Sequence, residues 1–254
     1  MRFIIFMLLS ESIASAASFG GEIQRWGDTN TSLTSTIVLA GGISAGNRAV
    51  VLFGWESSAA TLSLSGVSDS RGNSWSITNS LINSVHQEAI AHANVGTALQ
   101  VNDTITVTWT GTGASVARAG VVVYLSGVSN ASPDIVIVTN SSTSTITANG
   151  TTTVTNDFLI GIFQIDQVLS TYSPGTWTQI GSADLFGHTG STDGLANYYL
   201  YFSAGNPGLY TLDGTQTSAR SWQVIWMAFL NAPPPAGPTL SVNGTLSVGT
   251  IKTP

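Results

Sequence analysis

The chain has 254 residues, of which only 8% are charged and none is cysteine. That length holds one large β-domain with a sizeable core, and the missing cysteines exclude disulfide staples, thiol catalysis and thiolate metal sites. A net charge of −6 without any Lys/Arg cluster excludes binding to a nucleic-acid backbone, which requires cations to release counterions.

Residues 1–17 read as an export signal: Arg2 is the positive start, Phe3 to Leu9 the apolar stretch, and Ala14-Ser15-Ala16 a small-x-small cleavage site. The alternative is a short N-terminal segment of a protein that is never exported. The signal predicts a secreted or cell-surface protein, with a virion as the other setting for such a chain. No later stretch approaches the ~18 apolar residues of a membrane span.

A first strand is predicted over 31–39, where Thr/Ser-rich sequence turns apolar at Ile37-Val38-Leu39. Ala49 to Trp55 is an unbroken apolar run, short and β-branched, which predicts a strand buried at the centre of a sandwich. Thr61 to Ser65 and Ser74 to Thr78 alternate, with Asp69-Ser70-Arg71-Gly72-Asn73 between them as a turn. Thr104 to Thr110 alternates most clearly, with Ile105, Val107 and Trp109 on one face and threonines on the other. Ala119 to Leu125 is apolar on both faces. Asn149-Gly150, between Thr143–Ala148 and Thr151–Thr155, predicts a hairpin turn. Further strands follow at 158–163, 177–180, 197–202, 209–212 and 221–230. Pro233-Pro234-Pro235 then reads as a stiff spacer, ahead of a small hairpin around Asn243-Gly244 that is too short to stand alone.

The apolar run returns as Phe158 to Phe163, and Asn47-Arg48 before the first run is answered by Asn156-Asp157 before the second. Ala117-Arg118 and Ala219-Arg220 likewise precede the two closing strands. No segment has convincing helical periodicity. The expected fold is therefore all-β, a jelly-roll-like antiparallel β-sandwich built from two pseudo-repeated halves. The expected organisation is a signal over 1–17, a sandwich domain over 18–232 with pseudo-repeats at about 46–128 and 155–232, and a linker with hairpin tail over 233–254.

Asp69 to Trp75, Thr104 to Trp109, Tyr124 to Val128 and the strand after Asn156-Asp157 together resemble a β-sandwich module common in bacterial exoproteins and phage structural proteins. The resemblance covers about residues 30–232, rests on short motifs, and implies a lectin-like architecture with an accessory or adhesive role. It carries over no catalytic residues.

Laying the halves over each other places His86–Asn94 on Leu195–Ser203. Alternation turns Ala89, Ala91 and Ala93 inward with Tyr198, Leu200 and Phe202. The opposite face gathers Glu88, His92 and Asn94 from one half and Asn197, Tyr199 and Tyr201 from the other, and these six are the candidate ligand-binding residues. Rings that stack on C–H faces beside amides and carboxylates that fix hydroxyls suit sugar recognition. The same face is equally read as an ordinary solvent face or a second buried layer.

Other chemistry finds less. His86 and Glu88 lie ~7 Å apart on one strand face, but His92 is ~20 Å from His86 and no third ligand is evident, so no metal site and no cofactor is expected. Asp69 to Asn73 is a plain turn before it is a calcium loop. Glu56 and Glu88 are the obvious carboxylates for glycoside hydrolysis, yet no lectin-fold glucanase motif, nucleophile elbow or phosphate loop is present, and His188 has no evident nucleophile partner. The threonine rows could order water, or simply solvate a β-face.

Two classes remain. One is a secreted or surface-displayed, non-catalytic recognition module binding glycan or extracellular matrix, with an exposed patch built on Tyr199, Tyr201 and Trp177 or Trp222. The other is a virion or extracellular structural protein that self-associates through the same faces. A polysaccharide-active enzyme stands behind both.

Overall fold

The computed structural model describes residues 16–28, 32–57, 62–81, 86–111, 115–166, 172–187 and 194–233. Residues 1–15, His188 and the tail from Pro234, which carry the export signal, the loop histidine and the terminal hairpin, lie outside the described residues. Seventeen strands and no helix make up what is described.

The first half contains β1 Ser18–Asp28, β2 Thr34–Val38, β3 Arg48–Ser57, β4 Ser63–Asp69, β5 Trp75–Leu81, β6 His86–Asn94, β7 Thr104–Thr110 and β8 Ser115–Ser126. The second contains β9 Ile135–Ser141, β10 Thr145–Thr152, β11 Phe158–Asp166, β12 Tyr172–Pro174, β13 Thr178–Gln179, β14 Asp184–Gly187, β15 Gly194–Ser203, β16 Gly208–Gln216 and β17 Trp222–Phe229. In the first half the sheets run β1-β8-β3-β6-β5 and β2-β7-β4, in the second β9-β17-β11-β15-β13 and β10-β16-β12, with β14 also on β15. The two orders match strand for strand, and each is the jelly-roll order, with every pairing antiparallel. In these orders β1 with β2 and β9 with β10 take equivalent places in the two halves.

The four sheets stack in layers. One core lies between the outer β2-β7-β4 sheet and its five-stranded partner and contains Phe53, Trp55, Ala89, Ala91 and Trp109. A second fills the other half with Phe163, Leu200, Leu212 and Trp226. A third joins the two inner sheets face to face, through Val50, Leu52, Ile90, Val121 and Val123 on one side and Ile160, Ile162, Tyr199, Ile225 and Met227 on the other. This stacking explains the sequence pattern. The inner strands β3, β6, β11 and β17 are covered on both faces, and β3, β11 and β17 read as largely apolar runs while β6 carries polar groups into the join, whereas β7 and β10 in the outer sheets keep a wet face and alternate.

Two local features decide earlier expectations. Asn149-Gly150 is not a turn but lies in mid-strand, paired to Thr211 and Tyr210. Gly150 is needed because a Cβ there would sit 2.5 Å from the Trp226 ring, and Asn149 accepts a hydrogen bond from the Thr211 hydroxyl at 2.7 Å. The Asp69–Trp75 motif is structural. The Asp69 carboxylate accepts from the Arg71 amide at 2.8 Å and from the Trp75 indole at 2.8 Å, while Gly72 takes φ +76.

Candidate functional site

The face predicted to recognise ligand is mostly the join between the halves. Glu88, Asn197 and Tyr199 are fully buried there. The expected exposed aromatic patch is not formed, because each half covers the other's ring-bearing strand. Tyr199 donates from its hydroxyl to Asp184 at 2.7 Å. Asp184 also takes Arg25 of β1 at 3.1 Å, and Arg25 donates to the carbonyls of Ile180 and Ser182, which straps the halves together. Tyr201 is half-buried in a stack between Phe19, at 4.8 Å, and Phe158, at 5.7 Å. Trp177 and Trp222 are buried in the second half's own core.

One end of the join is polar. Gln164 donates to Asn197 at 3.0 Å and to the carbonyl of Gln87 at 3.2 Å, and Gln223 donates to Gln164 at 2.5 Å. The Glu88 carboxyl is close to this layer in register, and the Ile225 backbone approaches it without a hydrogen bond of normal geometry to either oxygen. Burial pushes it well above the usual carboxylate range, only partly offset by the Ile225 backbone, so the join favours the protonated form of Glu88. Among the described residues no group of three or more His, Cys, Asp or Glu side chains is placed to hold a metal ion.

At the opposite end the join opens, and His92 and Asn94 reach it. Arg48 begins β3 and is paired with Asn94, while His92 is paired with Ser76 of β5. The connection between the halves crosses above them, contributing Asn130, Ala131 and Ser132. Together with Ser74 these groups line a half-open cleft of about 90 Å³. Arg48 donates to the carbonyls of Ser129 at 2.7 Å and Ala131 at 2.8 Å, and its other terminal nitrogen meets His92 Nδ1 at 3.2 Å. Because arginine only donates, Nδ1 is the acceptor and the imidazole proton sits on Nε2. Phe229 of β17 lies under both, 4.5 Å from the guanidinium carbon and edge-on to His92 at 5.1 Å. Asn94 donates to the carbonyl of Asn130 at 2.8 Å.

The electrostatics follow from burial. Desolvation lowers Arg48 to about 10, which leaves it charged at neutral pH. Burial, and then the Arg48 charge, bring His92 down to about 4, so the imidazole is neutral. The equivalent place in the second half carries the opposite chemistry. Asp157, buried and near Asp134, is raised to about 7 by desolvation and then by that neighbour.

Of the six predicted residues, the structure brings His92 and Asn94 to one cleft, buries Glu88, Asn197 and Tyr199 in the join, and leaves Tyr201 at its edge. Sequence reasoning missed Arg48, Ser74, Ser76, Asn130 and Ser132. The only signal was a lone arginine at the mouth of a buried run. Compared with family models, curated proteins and solved structures, the chain matches none of them.

Proposed function

We propose that this protein is a non-catalytic, extracellular recognition module that binds saccharide in the Arg48–His92–Asn94 cleft. The observation that carries the reading is the cleft's lining of hydroxyls, amides and one imidazole N–H around a fixed guanidinium. Vicinal sugar hydroxyls need paired donors and acceptors, and Ser74, Ser76, Asn94, Asn130 and Ser132 supply both. Recognition rests on hydrogen bonds rather than ring stacking, since the aromatic side chains of the join are engaged with one another. Binding is preferred to hydrolysis because no carboxylate among the described residues lines the cleft, and glycoside hydrolysis generally takes two. The export pattern at 1–17 and the resemblance to exoprotein modules support display outside the cell.

A glycan array probed with the protein, alongside Ser76→Ala/Asn94→Ala, tests this. Binding that falls at least tenfold in the double variant is expected, and a folded protein that binds no glycan would overturn the reading.

A second reading, an assembly subunit, is favoured by a different observation. The edge strand β9 leaves Val136 and Val138 41% and 47% exposed, and an open apolar edge is a template for another chain. Light scattering that shows a stable oligomer, lost on Val138→Lys, is its test.

A further inference from the structure

Resting on the saccharide reading, we infer that the cleft selects acidic sugars, taking a carboxylate or sulfate group against Arg48. The comparison with Arg118, the other fully buried arginine, and with Arg25 and Arg71 carries the argument. Arg25, Arg71 and Arg118 each lie within 4.0 Å of a carboxylate, that of Glu22 or Asp184, Asp103 and Asp28 respectively. Arg48 is as buried as Arg118, at 1% exposure, yet no described carboxylate is within ion-pair distance. Its charge is met by two neutral carbonyls and a neutral imidazole, and its Nε is buried with no hydrogen-bond partner. A buried cation without a counter-charge is costly unless something supplies one.

The surroundings fit an oxyanion rather than a cation. Among the described residues no Asp or Glu lines the cleft, and the serine hydroxyls and asparagine amides beside Arg48 can all donate. With Nη2 on two carbonyls and one Nη1 proton on His92, the guanidinium keeps one Nη1–H for a charge-assisted hydrogen bond to a carboxylate or sulfate oxygen. His92 is committed through Nδ1 to Arg48 and presents Nε2–H as a donor. The volume of about 90 Å³ is room for several waters. This accommodates an acidic substituent and the sugar carbon bearing it, leaving the rest of the ring at the mouth.

The test is calorimetric titration of the full chain with a uronic-acid oligosaccharide, its carboxyl-reduced neutral counterpart, a sulfated oligosaccharide of the same backbone, and acetate and sulfate alone. The inference expects at least one acidic oligosaccharide to bind tenfold or more tightly than the neutral one, and the carboxylate and sulfate arms show which oxyanion is preferred. Ser76→Asp places a carboxylate beside His92 and is expected to erase that preference, whereas Ser76→Asn keeps it, with thermal midpoints confirming that both variants fold. Equal affinity for acidic and neutral oligosaccharides would overturn the inference while leaving the saccharide reading intact. Binding of the simple anions without any saccharide, or no binding in any arm, would overturn both. A preference unchanged in Ser76→Asp would place the acid elsewhere and overturn the inference.

Discussion

Gly54→Ala is the sharpest perturbation of the join between the halves. Gly54 lies in β3 opposite the polar layer, and a Cβ added there would enter the space of Gln164 Nε2 and stand 2.7 Å from both terminal atoms of Asn197. Those amides are fully buried and bonded to each other, so they can yield only by breaking hydrogen bonds in a place that water does not reach. Overpacking costs about 1–3 kcal/mol, and stranding one buried amide adds about 1–3 kcal/mol, giving an expected loss of about 2–6 kcal/mol in denaturant unfolding. The decisive arm is a double-mutant cycle with Gln164→Ala. If the inner sheets face each other as described, removing Gln164 relieves the clash, and the pair should couple by about 1 kcal/mol or more. A Gly54→Ala protein within about 0.5 kcal/mol of wild type, or strict additivity with Gln164→Ala, would refute the face-to-face register.

Three further outcomes follow from the same structure. Glu88→Met should stabilise the protein at pH 7 by about 1–3 kcal/mol, the cost of an unsatisfied buried group. Because the folded state holds the Glu88 proton above its ordinary value of 4.5, wild-type stability falls as pH rises past that value, and the gain from Glu88→Met should shrink towards pH 4. His92 has the opposite sign. Its folded value of about 4 against an ordinary 6.5 means that the unfolded chain takes up the proton first, so stability is lost as pH falls from about 6.5 to 4. The full difference is worth about 3 kcal/mol, and His92→Gln should flatten that limb of the pH–stability curve. Arg25→Met should cost about 1–3 kcal/mol by taking the guanidinium from Asp184, which keeps only Tyr199, and from the Ile180 and Ser182 carbonyls, and Asp184→Asn made in the same chain should add less than it does alone.

Much of the fold was legible because burial on both faces writes itself as an unbroken apolar run. Ala49–Trp55 and Phe158–Phe163 announced two halves, and the alternation of Thr104–Thr110 announced an outer sheet. The first strand of each half was not legible. β1 carries Gly20 and Gly21 and two register shifts against β8, which erase its period, and β9 was hidden in a Ser/Thr-rich stretch. Asn149-Gly150 misled because the glycine answers to a tryptophan packed against it from the neighbouring sheet, a demand that local sequence does not record. The candidate site was half legible for a related reason. Alternation showed which residues share a face with Glu88 and Tyr199, but what covers that face is decided by the other half. Only where the join opens, at His92 and Asn94, did the predicted residues meet a cleft. Arg48, which organises it, belongs to no motif.

The most direct test of the account is backbone-amide NMR of the protein titrated with the tightest-binding oligosaccharide. Shift changes centred on Ser74, Ser76, Asn94 and residues 130–132 are predicted. Changes confined to the threonine-lined outer faces of β7 or β10, with the cleft silent, would contradict it.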